Sequence, residues 1–334
     1  MYAEAESLHR RALEINLRRL GENHPLTAAS MQNLAQMLSS RSKVEEAETY
    51  HRRSLAAKRL ALGDTHPSVT ISMNNLANLL TRQMDRYEEG EALARQALAF
   101  DRKTFGEKHS FVAEGLANVG IILRMRGRYA ESDSLLRQAL AMNRSIFGER
   151  HGRVASNLSA LAQTRYAMDD GAGAIALMRQ SVAQYRELLG EDHRSTLTTV
   201  GGLGFMLAEY GDPVEAESLS RAALRRLDPR KDEHRVQVIS TELGLGKALS
   251  AQGRTGEAVP VLARVVERAS AQYGDGHWRT ADALITYGVA LVAQRRYSDA
   301  EPVLRAGRAA LARSPRAQPR LSARAAAAMA KLPK

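Results

Sequence analysis

The sequence contains no cysteine. That removes structural disulfides, thiolate zinc sites and cysteine nucleophiles together. Aromatic residues make up only 5%. Alanine and leucine must then do the packing, which suits closely approaching helices better than a sheet of β-branched and aromatic side chains. There is no run of about 18 apolar residues of the kind a membrane-crossing helix needs. The start, Met1-Tyr2-Ala3-Glu4-Ala5-Glu6, lacks the basic residues and apolar stretch of a leader. The expectation is a soluble, unexported, cytoplasmic chain. Acid is also missing in one place. After Glu301 there is none, while Arg305, Arg308, Arg313, Arg316, Arg320, Arg324, Lys331 and Lys334 follow. Eight of the eleven net positive charges therefore sit in that tail, and the body, residues 1–301, is close to balanced.

What is present is repetition. With 334 residues, 44% hydrophobic and 25% charged, the chain can bury a core, and length alone would suggest two or three domains. A recurring motif overrides that estimate. It reads Leu20-Gly21-Glu22-Asn23-His24-Pro25, Leu62-Gly63-Asp64-Thr65-His66-Pro67, Phe105-Gly106-Glu107-Lys108-His109, Phe147-Gly148-Glu149-Arg150-His151, Leu189-Gly190-Glu191-Asp192-His193 and Tyr273-Gly274-Asp275-Gly276-His277. A degenerate copy ends at His234, and the seven histidines are spaced by 42, 43, 42, 42, 41 and 43 residues. A glycine just past a helix end takes the left-handed conformation, and proline suits the first helical position, so each motif predicts a tight turn between two helices. Within a unit, Ser72 to Leu80 belongs to a first helix and Tyr129 to Leu140 to a second, both with apolar residues at helical spacing.

Catalytic and ligand-binding patterns fail against this register. Seven of the nine histidines are the repeat histidines, and the other two, His9 and His51, are also 42 apart. Equivalent positions of stacked repeats lie roughly 10 Å apart, too far for metal bonds near 2 Å. The repeat histidines are expected to cap the following helix or to bond to the neighbouring loop. Gly201-Gly202-Leu203-Gly204 and Gly244-Leu245-Gly246-Lys247 follow no strand and complete no phosphate-loop spacing. Glu45-Glu46 and Glu88-Glu89 stand at helix starts, where they favour the helix dipole. No enzyme activity, metal, cofactor or small-molecule substrate is expected.

Small residues recur where helices must meet: Ala35, Ala47 and Ser54; Ala77, Gly90 and Ala97; Gly120, Ser132 and Ala139; then Ala162, Ala174 and Ser181; Gly204, Ala216 and Ala223; Gly246, Ala258 and Val265; Gly288, Ala300 and Gly307. In this the chain resembles the tetratricopeptide repeat proteins, over nearly its whole length. The period near 42 and the Leu-Gly-x-x-His-Pro link are similar to the kinesin-light-chain subtype. Several copies, and Tyr297 to Leu304, also resemble repeats that follow the catalytic domain of bacterial serine/threonine protein kinases. The resemblance implies an all-α, right-handed superhelical α-solenoid of stacked antiparallel helix hairpins. It also implies a non-catalytic scaffold that binds a protein or an extended peptide; the alternative is the regulatory C-terminal region of such a kinase.

Three segments depart from the pattern. Tyr2 to Leu8 aligns with Tyr129 to Leu135, so residues 1–22 read as an incomplete first repeat, second helix only. Either the reading frame extends upstream or the end repeat is frayed. Seven repeats then occupy residues 23–313. The sixth connection, Leu227 to His234, has lost its glycine and gained Pro229 and five charges, so its second helix should end a turn early, by drift or as a hinge. In residues 314–334, Ser314 to Pro319 breaks the last hairpin, and Leu321 to Leu332 reads as a helix capping the final repeat with solvated arginines. Only through this tail could nucleic acid or an anionic membrane bind, and no aromatics interleave there for base stacking.

By the same resemblance, the first helices face the groove. Early repeats offer Gln32, Asn33, Gln36, Asn74, Asn75, Asn78, Arg82, Asn118 and Arg124; later ones offer Gly201, Gly202, Phe205, Leu243, Ile285 and Val289. Asn33, Asn75 and Asn118 hold one repeat position, where the kinesin-light-chain resemblance implies a clamp on a peptide backbone, since an amide both donates and accepts. The competing reading is an asparagine bonded to the adjacent hairpin. The expected peptide site lies in residues 24–130, with Asn75 and Arg82 central.

Overall fold

A computed structural model describes residues 2–41, 43–231, 234–313 and 319–333. Among these residues there are sixteen α-helices and no strand. They fall into two compact units, residues 1–148 and 149–334. No helix among the described residues is long and apolar enough to cross a membrane.

The first unit holds α1 (Tyr2–Leu20) and three hairpins: α2 (Pro25–Ser40) with α3 (Val44–Leu62), α4 (Pro67–Gln83) with α5 (Tyr87–Phe105), and α6 (Ser110–Met125) with α7 (Tyr129–Phe147). The second holds α8 (Gly152–Ala167) with α9 (Gly171–Leu189), α10 (Arg194–Tyr210) with α11 (Pro213–Leu224), α12 (Arg235–Ala251) with α13 (Thr255–Tyr273), and α14 (Trp278–Ala293) with α15 (Tyr297–Arg313). It ends in α16 (Pro319–Met329).

The links between hairpins behave as their sequence demands. Gly63 closes α3 at φ +79°, a conformation open to glycine but strained for other residues, and its N–H bonds back to the Arg59 carbonyl. The histidine then starts the next helix. Nδ1 of His24, His66, His109, His151, His193 and His277 accepts the backbone N–H two residues on, at 3.1 to 3.2 Å. An imidazole thus fills the place usually held by a Ser or Asp side chain. His234 departs from the rule: it caps nothing and accepts the N–H of Asp228 at 3.0 Å. Before it, α11 stops after 12 residues where α9 and α13 run to 19, so nearly two turns are lost. Asp232 and Glu233 of this connection lie outside the described residues.

Packing within each hairpin uses the small residues. Ala35, Ala47, Ala77, Ala97, Ala139, Ala162 and Ala174 are all but fully buried. Ser54 and Ser181, also buried, bond to the carbonyls of Ala28 and Ala155 at 2.6 and 2.7 Å. A Cβ on Gly90 would stand 3.0 Å from the Ala77 carbonyl oxygen, so that position has no room for a larger residue. Between hairpins the second unit has a special contact: α10 packs closely against α12, backbone near backbone. The Gly201 and Gly244 positions make this approach possible, whereas α4 and α6 in the first unit touch only lightly.

α16 packs against α14 and α15 and buries Ala325 and Ala328. Its arginines depart from the expectation of a solvated cap, because Arg320 and Arg324 turn back onto the repeats. Most of the expected break, residues 314–318 with Arg316, and also Met1, Ser42 and Lys334, lie outside the described residues.

Candidate functional site

All eight candidate contact residues fall on first helices of the first unit: Asn33 and Gln36 on α2, Asn74, Asn75, Asn78 and Arg82 on α4, Asn118 and Arg124 on α6. Asn33, Gln36 and Arg82 are exposed; Asn75, Asn78, Asn118 and Arg124 are half-buried. Asn33 and Gln36 share a shallow depression with His9, Met37 and Ser40. Asn78 accepts a long bond, 3.4 Å, from Arg82 Nε. The register amides Asn33, Asn75 and Asn118 have no side-chain hydrogen bond to any described group. Asn74 is buried instead, and its Oδ1 has no hydrogen-bond partner among the described residues.

Behind this face lies a group that reading by hydropathy missed. Lys58 of α3 is buried, and its ammonium donates to Ser72 Oγ on α4 at 2.8 Å and to Gln32 Oε1 on α2. Ser72 Oγ in turn donates to Gln32 at 2.8 Å, so one cation ties three helices together. No carboxylate pairs with it among the described residues. Burial pushes Lys58 down to about 8, and burial, helped by the Lys58 charge, pushes neighbouring His51 down to about 4. The same repeat position carries Asn16, Lys58, Asp101 and Asn143, a polar ladder inside the stack. Asn16 Nδ2 bonds to Ser30 Oγ at 2.8 Å, and burial holds Asp101 above the usual carboxylate range. Aligning the repeats exposes this ladder, because four polar residues recur at one position of successive second helices.

Lys58 yields a pH prediction. Its folded pKa lies below its unfolded value of 10.5, so the unfolded state binds more protons between about pH 8 and 10.5. The penalty is present in full below pH 8 and is relieved as pH rises through that window. Lys58→Met, which keeps the stem and deletes the charge, should remove that penalty, on the order of 3 kcal/mol at pH 7, less what the lost bonds to Gln32 and Ser72 contribute, and so leave a net gain there. Urea titrations at pH 7 and pH 10 should show that advantage shrinking; a constant difference would mean the ammonium is not penalised.

In the second unit the first helices carry a different cluster. Lys247 of α12, 4% exposed, donates to Glu209 Oε1 of α10 at 2.6 Å and lies 3.5 Å from Asp282 Oδ1 of α14. Its ammonium also stands 3.7 Å from the centroid of the Phe205 ring. The other Glu209 oxygen accepts the Tyr166 hydroxyl of α8. Burial pushes the Glu209 carboxyl up, but the Lys247 charge and hydrogen bond, with Tyr166 and Arg324, outweigh it and hold the group below its ordinary range. Burial, reinforced by Glu209, pushes the Tyr166 phenol well up. Local pattern picked out Phe205 and, within a glycine cluster, Lys247, but not Tyr166, Glu209 or Asp282, which stand on α8, α10 and α14 and which no local pattern joins to them.

None of these clusters assembles a metal site: no group of three or more His, Asp or Glu that could hold an ion occurs among the described residues. A family model described as tetratricopeptide repeat matches residues 1–59, 41–103, 68–145, 153–228 and 237–313. No curated protein matches. Among solved structures, the chain is similar to a form of the nearly identical TPR-like repeats of a kinesin light chain from Podosopora anserina, at 23% identity and TM-score 0.50, over 61% of this chain and 95% of that one. It is also similar to BtubC (BKLC) from P. vanneervenii, at 20% identity and TM-score 0.50, over 82% and 93% of the two chains. A Rap protein complexed with competence and sporulation factor aligns at 11% identity and TM-score 0.57, over 82% and 77%.

Proposed function

We propose that this chain, which belongs to the tetratricopeptide repeat family, is a non-catalytic interaction scaffold that captures an extended segment of a partner protein on the polar first helices of its first unit. The observation that carries the reading is the set of three in-register amides, Asn33, Asn75 and Asn118, none of them bonded to a described residue of the adjacent hairpin. Each has both a donor and an acceptor to offer a peptide group, and their one-repeat spacing suits a ligand that runs across the hairpins. Arg82 and Arg124 on the same helices favour a segment with acidic side chains. A solved neighbour crystallised with a bound factor, the Rap protein, supports ligand binding by a related stack.

The test uses peptides selected from a random display library on the intact chain. Asn75→Ala with Asn118→Ala should weaken the selected peptides by roughly a hundredfold, about tenfold for each amide. The melting temperature should not move, because neither amide bonds to any described group of the protein. Unchanged affinity would sink the reading, and so would a loss of affinity that merely tracks a loss of stability.

A further inference from the structure

The tail helix α16 packs on α14 and α15 and reaches first helices of its own unit through two arginines, and that reach is chemically specific. Arg320 donates to the backbone carbonyl of Tyr166 at 2.9 Å and pairs with the carboxylate of Asp169. Its guanidinium carbon lies 5.3 Å from the centroid of the Tyr166 ring and 5.4 Å from that of Tyr210. Those rings meet edge to face, 5.7 Å between centroids. The Tyr210 hydroxyl donates to the same Asp169 oxygen at 2.5 Å, which fixes the carboxylate in front of the guanidinium. One turn further along, Arg324 approaches Glu209 Oε1 at 3.7 Å and Thr286 Oγ1 at 3.4 Å. The two arginines stand four residues apart, on one face of a helix.

Two further observations bear on this clamp. First, Asp169 occupies the left-handed position after its helix, φ +71°, which Asp85, Gly127, Gly253 and Arg295 hold in other hairpins. Aspartate tolerates that conformation less readily than glycine, and here its carboxylate serves Arg320 and Tyr210. Second, the apolar seat of α16 is confined to its C-terminal end, where Ala328, Met329 and the following Leu332 pack against the core, away from Arg320. Only Ala325 and Ala328 of its eleven residues are buried. An arginine between two aromatic faces and a carboxylate contributes through cation–π and charge-assisted bonds, which are favourable yet exchangeable and salt-sensitive.

We infer that Tyr166, Asp169, Glu209 and Tyr210 form a recognition site for a helical segment of a partner protein bearing arginines four residues apart, and that α16 is its resident occupant in cis. The tail then competes with the partner: a tethered segment acts at an effective concentration near millimolar, so an external ligand must displace it. The site is separate from the polar face of the first unit and does not depend on that reading.

The probe is a labelled synthetic peptide of residues 319–332, added to the full chain. Arg320→Ala with Arg324→Ala empties the clamp, and this variant should bind the peptide at least tenfold more tightly than the parent does. Adding Asp169→Asn should reverse the gain, as should replacing both arginines of the peptide by alanine. Should the double variant not fold, hydrogen exchange on the parent decides: excess peptide should speed exchange of the α16 amides, and the arginine-free peptide should not. No tighter binding by a folded variant, or α16 exchange that ignores the peptide, overturns the inference.

Discussion

Replacing Gly244 by leucine should destabilise the second unit by about 3 kcal/mol or more, the upper end of what overpacking costs. The reason is the identity of the atoms in the way. A Cβ on Gly244 would stand 3.3 Å from the Phe205 backbone nitrogen and 3.5 Å from its Cα, so the new side chain meets the α10 backbone, which no rotamer change can move aside. α10 and α12 would have to separate, uncovering Leu203 and Leu243 and loosening the Lys247–Glu209 bond between them. Gly202 is the matched control. Its Cβ would meet only the end of Met178, at 3.4 Å, a flexible thioether that can yield. Gly202→Ala should therefore be neutral or stabilising by up to about 1 kcal/mol through helix propensity alone. Urea denaturation followed by helical circular dichroism separates the two, and equal stability of Gly244→Leu and parent would mean that α10 and α12 do not pack backbone to backbone.

The same pair of glycines shows how much could be read in advance. Seven histidines at one period, the glycine before each turn and the triplets of small residues specified the helices and their hairpin partners, because those signals are local and repeat. Gly246 and Gly288 were legible as close-approach positions for the same reason. Gly244 was not, since its role depends on the distance between successive first helices, which the repeat signature leaves open. The amides Asn33, Asn75 and Asn118 could be placed on first helices from their register, but their lack of internal partners is a property of three-dimensional neighbours. Lys58 lay within reach of an alignment of the repeats against one another, whereas the pairing of Arg320 with Asp169 bridges 151 residues and has no local signature. An acid-free tail pointed outward on composition alone; in the fold, Arg305, Arg320 and Arg324 find carboxylates within the chain.

The other large effect is expected at Lys247. Lys247→Met should cost about 3 kcal/mol at pH 7, the low end of the range for breaking a buried ion pair, because a quarter of the Glu209 side chain is exposed. Methionine fills the volume of the lysine stem, so the loss isolates the charge. The parent ammonium sits between two carboxylates, Glu209 and the nearly buried Asp282, and its removal leaves them facing each other with Arg324 at 3.7 Å from Glu209 as the remaining cation. The pH dependence should then change sign. In the parent, Glu209 titrates below its ordinary range and stabilises the fold above its unfolded pKa, a contribution lost as pH falls. In the variant, burial, the leading influence on Glu209, acts with less opposition and raises its pKa. A raised carboxyl favours the protonated fold, so the deficit of Lys247→Met should shrink as pH is lowered from 7 toward 4, while the parent begins to lose the Glu209 contribution only as pH falls below the unfolded value of 4.5. Adding Glu209→Gln and Asp282→Asn should restore most of the loss at pH 7, since no stranded charge then remains. Paired urea titrations of the single and triple variants at both pH values measure this, and a deficit that is independent of pH would assign the cost to packing around Phe205 instead of to the stranded carboxylates.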